Sequence, residues 1–90
     1  MRHRFIIIER AFRMGKSKIQ NNIRRLRFDN NEMTQQELAD KVNVSRQTIV
    51  AIEKGNYSPS LELAFRISYI FNKKLEELFS YDVNDSVSIK

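Results

Sequence analysis

Four consecutive side chains, Ser45-Arg46-Gln47-Thr48, concentrate hydrogen-bonding groups in one place. Arg46 carries a planar fork of donors that matches the O6 and N7 acceptors of guanine. Gln47 sets a donor beside an acceptor, the pattern that adenine N7 and N6 require. Ser45 and Thr48 suit phosphate oxygens or bridging water. Val50 and Ala51 follow, and an outward β-branched side chain there could touch a thymine methyl. The chemistry on offer is recognition, not bond making. No carboxylate pair, Ser/His/Asp set, metal-ligand cluster or phosphate-cradling glycine loop accompanies it, so the sequence does not read as an enzyme. There is no cysteine, and His3 stands without ligand partners nearby, so no metal, cofactor or small-molecule site is expected.

Presenting those side chains takes a helix held end-on, and residues 34–55 read as two short helices around a tight turn. Thr34-Gln35-Gln36-Glu37 is a capping box that opens the first helix, with Leu38, Ala39 and Val42 inward and Met33 placed to staple onto Leu38. Asn43 and Val44 lie in the turn, and Ser45 is a good N-cap for the second helix. Val44, Thr48, Ile49 and Ile52 recur at helical spacing, and Gly55 after Lys54 ends the helix. So short a turn forces a steep crossing, which is why the small Ala39 is needed at the contact. The first helix then bridges a DNA backbone while the second enters the major groove N-terminus first.

The rest of the chain reads as support. A first helix is expected over about residues 18–29, with Ile19, Ile23 and Leu26 on one face and Asn30-Asn31 ending it. A fourth starts near Ser58-Pro59-Ser60. Leu61, Ala64, Ile67, Ser68 and Phe71 form its inward face, and Leu63, Phe65, Tyr69 and Ile70 fall outside that face. The surplus apolar surface makes Phe65, Tyr69 and Ile70 candidates for a dimer interface. Asn72 ends this helix, and a short fifth spans about residues 74–79 behind a poor cap at Lys74. Residues 1–17 form a basic arm and residues 81–90 a polar tail, leaving 18–80 as the domain. Two readings of the arm stand. Phe5-Ile6-Ile7-Ile8 is β-prone and could pair with another strand, such as Ser86-Val87-Ser88-Ile89. Alternatively Met14 is the natural start, because Met14-Gly15-Lys16-Ser17-Lys18 leads straight into the first helix.

Charge is distributed unevenly. The formal net charge is +5, and residues 1–27 hold nine Lys/Arg against one acid, Glu9. A basic front favours a polyanion, although a solvated arm has the same composition. Residues 34–55 are balanced: Lys41, Arg46 and Lys54 face Glu37, Asp40 and Glu53. The longest apolar run, Phe5 to Ile8, is far too short to span a bilayer, and the absence of cysteine fits a cytoplasmic protein.

Thr34-Gln35-Gln36-Glu37-Leu38-Ala39, Val42-Asn43-Val44-Ser45-Arg46-Gln47-Thr48-Ile49 and Ile52-Glu53-Lys54-Gly55 together resemble the Cro and lambda-repressor-type (XRE-like) helix-turn-helix family. The continuation Asn56-Tyr57-Ser58-Pro59-Ser60-Leu61-Glu62-Leu63-Ala64 is similar to its short bacterial single-domain regulators, and the resemblance covers about residues 18–80. It implies an all-α five-helix domain, with room for short terminal strands, that binds a palindromic operator on double-stranded DNA as a homodimer and regulates transcription as a repressor. It further implies base contacts from Arg46, Gln47, Val50 and Ala51. It implies phosphate contacts from Gln35, Asn56 and Tyr57, to which Ser45, Thr48 and Lys54 are added as phosphate candidates, and a structural ion pair from Arg27 and Glu53. Asn43 departs from the pattern where glycine is common, the turn before Thr34 is one residue longer, Lys74 replaces a hydroxyl cap, and Ala51 lacks a long polar side chain. The alternative from another class is an antitoxin or interaction module whose main task is binding a partner protein.

Overall fold

The computed structural model describes residues 19–81. The expected arm over residues 1–17, with His3 and Phe5–Ile8, and the tail from residue 82 onward lie outside the described residues.

Hydroxyl caps and left-handed residues divide the chain into its elements. Thr34 Oγ1 accepts from Glu37 N at 3.0 Å and Thr34 N donates to Glu37 Oε1 at 2.8 Å, closing the capping box that starts α2 (Gln35–Val42). Ser45 Oγ accepts from Thr48 N at 3.2 Å and starts α3 (Arg46–Glu53). Ser60 caps α4 (Leu61–Phe71) in the same way, through Leu63 N at 3.1 Å. Asn43, Gly55 and Asn72 end these helices with φ of 64°, 79° and 55°. After each helix the same pair of bonds closes the turn; for α3 they are Gly55 N to Ile52 O and Asn56 N to Ala51 O, at 3.0 and 2.9 Å. Glycine reaches positive φ freely, and asparagine does so at lower cost than other side chains.

The first helix starts later than expected. α1 spans Ile23–Asp29, and Ile19–Asn21 forms a strand, β1, rather than the leading turn of a helix. Two asparagines account for this. Asn21 Oδ1 accepts from Ile23 N at 3.1 Å while its amide donates to Ile52 O at 2.9 Å. Asn22 donates from its backbone to Leu78 O and from its side chain to Glu77 O, at 3.0 and 3.1 Å. These long-range bonds draw the residues out of a local helix. The fifth helix is also shorter, α5 (Leu75–Leu78), because Phe79–Tyr81 turns into β2. Lys74 brings no side-chain acceptor, and Glu77 Oε1 accepts from Lys74 N at 2.9 Å instead. β1 and β2 pair antiparallel, with Ile19 opposite Tyr81 and Asn21 opposite Phe79, tying the two ends of the domain together.

Five helices thus surround one core, with a two-stranded sheet at the ends: an all-α domain with short terminal strands. Ile23 and Leu26 from α1, Leu38, Ala39 and Val42 from α2, Ile49 and Ile52 from α3, Leu63, Ile67 and Phe71 from α4, and Leu78 fill it. Each fully buried aliphatic side chain contributes about 1.5–3 kcal/mol. Ala39 is completely buried where α2 meets α3 and α4. Arg66 fastens α4 to the end of α2, its Nη1 donating to Val42 O at 3.0 Å.

α4 corrects one face assignment. Leu63 is buried and Leu61 is 67% exposed, the reverse of the expected arrangement. Helical rotation settles it: positions 63, 64, 67 and 71 share one side, whereas 61, 65 and 69 recur every four residues on another. A helix that is apolar nearly all round does not show this from sequence alone.

The left-handed turn at Asn43 fixes the crossing of α2 and α3. Asn43→Gly should keep stability within about 1 kcal/mol of the parent, whereas Asn43→Val should cost about 1–2 kcal/mol. Urea unfolding midpoints check both, and equal losses would mean that backbone handedness is not what residue 43 supplies.

Candidate nucleic-acid interface

Ile49 and Ile52 are the residues that aim α3. Both are essentially buried, so the helix is anchored by one face and by its second half. The opposite face and the first turn are left open. Arg46 and Gln47, the first two helical residues, are exposed, as is the cap Ser45. The N-terminal end of α3 therefore projects two long hydrogen-bonding side chains with no acidic residue in the first turn. Thr48 is half-buried, and its Oγ1 lies 3.0 Å from Ser45 Oγ, so the two hydroxyls form one small polar unit. Val50 and Ala51 are half-buried, flanking the exposed side chains rather than standing clear of the surface. Lys54 is exposed at the far end. Asn56 is half-buried and Tyr57 is 44% exposed in the loop beyond.

The far end of α3 is held by charge. Arg27 on α1 donates from Nε to Glu53 Oε2 at 2.6 Å and from Nη2 to Glu53 Oε1 at 3.0 Å. Its remaining arm, Nη1, donates to Met33 O at 2.8 Å. The side chains are 14% and 8% exposed, so this is a sheltered, bidentate pair. Gln35 joins it, its Nε2 donating to Glu53 Oε1 at 3.1 Å. The Glu53 carboxylate thus fastens α1 and the start of α2 to the end of α3, and the Arg27 guanidinium adds the turn before α2. The carboxylate also limits the freedom of Gln35 at the mouth of α2.

The sequence offers Gln35 as a helix-opening residue and a DNA-backbone contact, and does not reveal its bond to Glu53. The two residues lie 18 positions apart, and nothing in periodicity joins them. Equally hidden in the sequence are the Asn21 and Arg66 side chains that hold carbonyl oxygens of α3 and α2. The Asn21-Asn22 pair, a capping signal placed inside an assumed helix, could have exposed the first.

Among the dimer candidates, Phe65 and Tyr69 are 54% and 84% exposed, and Leu61 extends the same line. Ile70 is different, since it is partly buried and packs against the core. Among the described residues no group of three His, Cys, Asp or Glu could hold a metal, and no helix is long and apolar enough to cross a membrane.

Two short helices crossing on a buried alanine, with the second presenting its polar N-terminus, define a helix-turn-helix. The family model described as Helix-turn-helix matches residues 23–78, and the chain belongs to that family. It is 58% identical over 50 residues to an uncharacterized HTH-type transcriptional regulator of Methanocaldococcus jannaschii, covering 56% of this chain and 76% of that one. A second relative with the same description, from Archaeoglobus fulgidus, is also 58% identical over 50 residues, covering 56% and 71% of the two chains. A third, from Bacillus subtilis, is 50% identical over 46 residues, covering 51% and 70%.

The ion pair yields a stability prediction. Arg27→Met should cost about 3–5 kcal/mol, because Glu53 is left sheltered and uncompensated, while the double change Arg27→Met/Glu53→Met should cost clearly less than the two single changes summed. Denaturant unfolding of all four proteins measures the coupling. Additive losses would show that the two side chains act independently.

Proposed function

We propose that the protein is a sequence-specific DNA-binding transcriptional regulator, acting as a homodimeric repressor on a palindromic operator. The observation that carries this reading is the placement of Arg46 and Gln47, exposed on the first turn of a helix whose other face is locked in the core. In this reading α3 enters the major groove by its N-terminus. Arg46 reads guanine O6 and N7, Gln47 reads adenine N6 and N7, and Val50 and Ala51 supply apolar contact beside them. Gln35, Ser45, Thr48, Lys54, Asn56 and Tyr57 set the register by touching phosphates. The descriptions of the relatives as HTH-type transcriptional regulators support the regulatory role.

The homodimer rests on α4. Phe65 and Tyr69, continued by Leu61, make an apolar stripe on the side of the helix that the core does not use. A second copy of the same stripe would cover it isologously and place two α3 helices about 34 Å apart, one turn of DNA.

Arg46→Ala and Gln47→Ala should each cost about 1–3 kcal/mol of operator affinity and relax base preference at one position per half-site. Competition binding against single-base operator variants checks this, and a loss equal for every sequence would contradict base readout. Tyr69→Asp should convert the dimer to a monomer by analytical ultracentrifugation while leaving the helical circular dichroism spectrum intact. An unchanged mass of two chains would place the interface elsewhere.

A further inference from the structure

A groove of about 520 Å³ lies where α1, the start of α2 and the end of α3 meet. Its charged lining is Arg24, Arg27, Glu32, Glu53 and Lys54, with Gln35 between them. Arg27 and Glu53 neutralise each other at 2.6 Å. Arg24 and Lys54 make no ion pair among the described residues, whereas Arg25 and Arg66 each face an acid on their own helix. The groove is therefore left with two uncommitted cations, opposed by a single uncommitted acid, Glu32, while the Gln35 amide is engaged with Glu53 at 3.1 Å.

We propose that this groove seats one backbone phosphate of the bound DNA, with Arg24 as a phosphate-binding residue and Glu32 as a charge that weakens the seat. The inference rests on the DNA-binding reading above and adds a contact from α1 to it. Geometry favours the phosphate over a base. Lys54 lies eight residues beyond Arg46, so it stands about 12 Å back along the helix axis. The major groove is only about 8.5 Å deep, so a helix inserted by its N-terminus carries residue 54 at the level of the phosphates. The chemistry agrees, because guanidinium and ammonium donors suit phosphodiester oxygens and, aimed at the backbone, carry no base code. Glu32 faces the same ligand with the wrong sign and lowers the gain from both cations.

The test uses the full chain and a duplex selected from a random pool, with affinity measured by fluorescence anisotropy across a series of NaCl concentrations. Arg24→Gln should weaken binding about five-fold near 150 mM salt, with the slope of log affinity against log salt falling by about 0.9. The ranking of single-base operator variants and the thermal midpoint should not move, which separates the role from a structural one. Glu32→Gln should shift affinity the other way, tightening binding several-fold. If wild type binds its duplex selectively and Arg24→Gln leaves both affinity and slope unchanged, the phosphate seat is wrong while the DNA-binding reading stands. A changed base ranking in Arg24→Gln would also overturn it, by making Arg24 a base reader. If wild type prefers no duplex, the underlying reading fails and the seat with it.

Discussion

Everything in this domain depends on keeping α3 fixed while its first turn stays bare, and the Arg27–Glu53 pair meets the harder half of that demand. A recognition helix cannot be buried all round, because its reading surface must remain open. α3 has only one apolar face, supplied chiefly by Ile49 and Ile52, and a helix of eight residues held by one face could still rock about its axis. Glu53, its last helical residue, accepts two bonds from Arg27 and one from Gln35, which pins the end farthest from Arg46. Under the proposed DNA-binding role, a carboxylate so close to the DNA-facing surface would ordinarily repel phosphate. Its neutralisation by Arg27 removes that cost locally. The pair itself adds little net stability, since desolvation offsets much of its attraction, but losing one partner is expensive. Its main contribution is the orientation of α3.

The charge distribution extends this division of labour. Residues 34–55 are balanced, so the helix pair does not attract a polyanion by net charge. Uncommitted cations sit at the edges of the helix pair, with Lys54 at the end of α3 and Arg24 on α1. Base choice would then come from Arg46 and Gln47, and salt-dependent affinity from residues placed around them. On α4, the stripe of Leu61, Phe65 and Tyr69 lies apart from the core-facing positions, so pairing two copies need not disturb the packing that holds α3.

The helix pair was legible in the sequence because its signals are local. Thr34 with Glu37, Ser45 with Thr48, and the left-handed stops at Asn43 and Gly55 each act over three or four residues, and local chemistry of that kind is written in order along the chain. The ends of the domain were less legible because they are made by non-local bonds. Ile19–Asn21 has helical spacing with Ile23 and Leu26, yet its strand partner lies some sixty residues away at Phe79–Tyr81. The face of α4 was obscured for another reason: apolar residues on both sides leave no periodicity to separate core from interface. Gln35's bond to Glu53 was hidden because a polar side chain at a helix start has several plausible acceptors, and only the tertiary structure selects one.

The central claim is that the exposed first turn of α3 reads DNA sequence, and the direct measurement is selection of duplexes from a random pool by the full chain at physiological salt. Two α3 helices one helical turn apart should enrich an inverted repeat whose half-site centres lie about 10 base pairs apart. A pool that remains unenriched after repeated selection, despite retained folding of the protein, would contradict it.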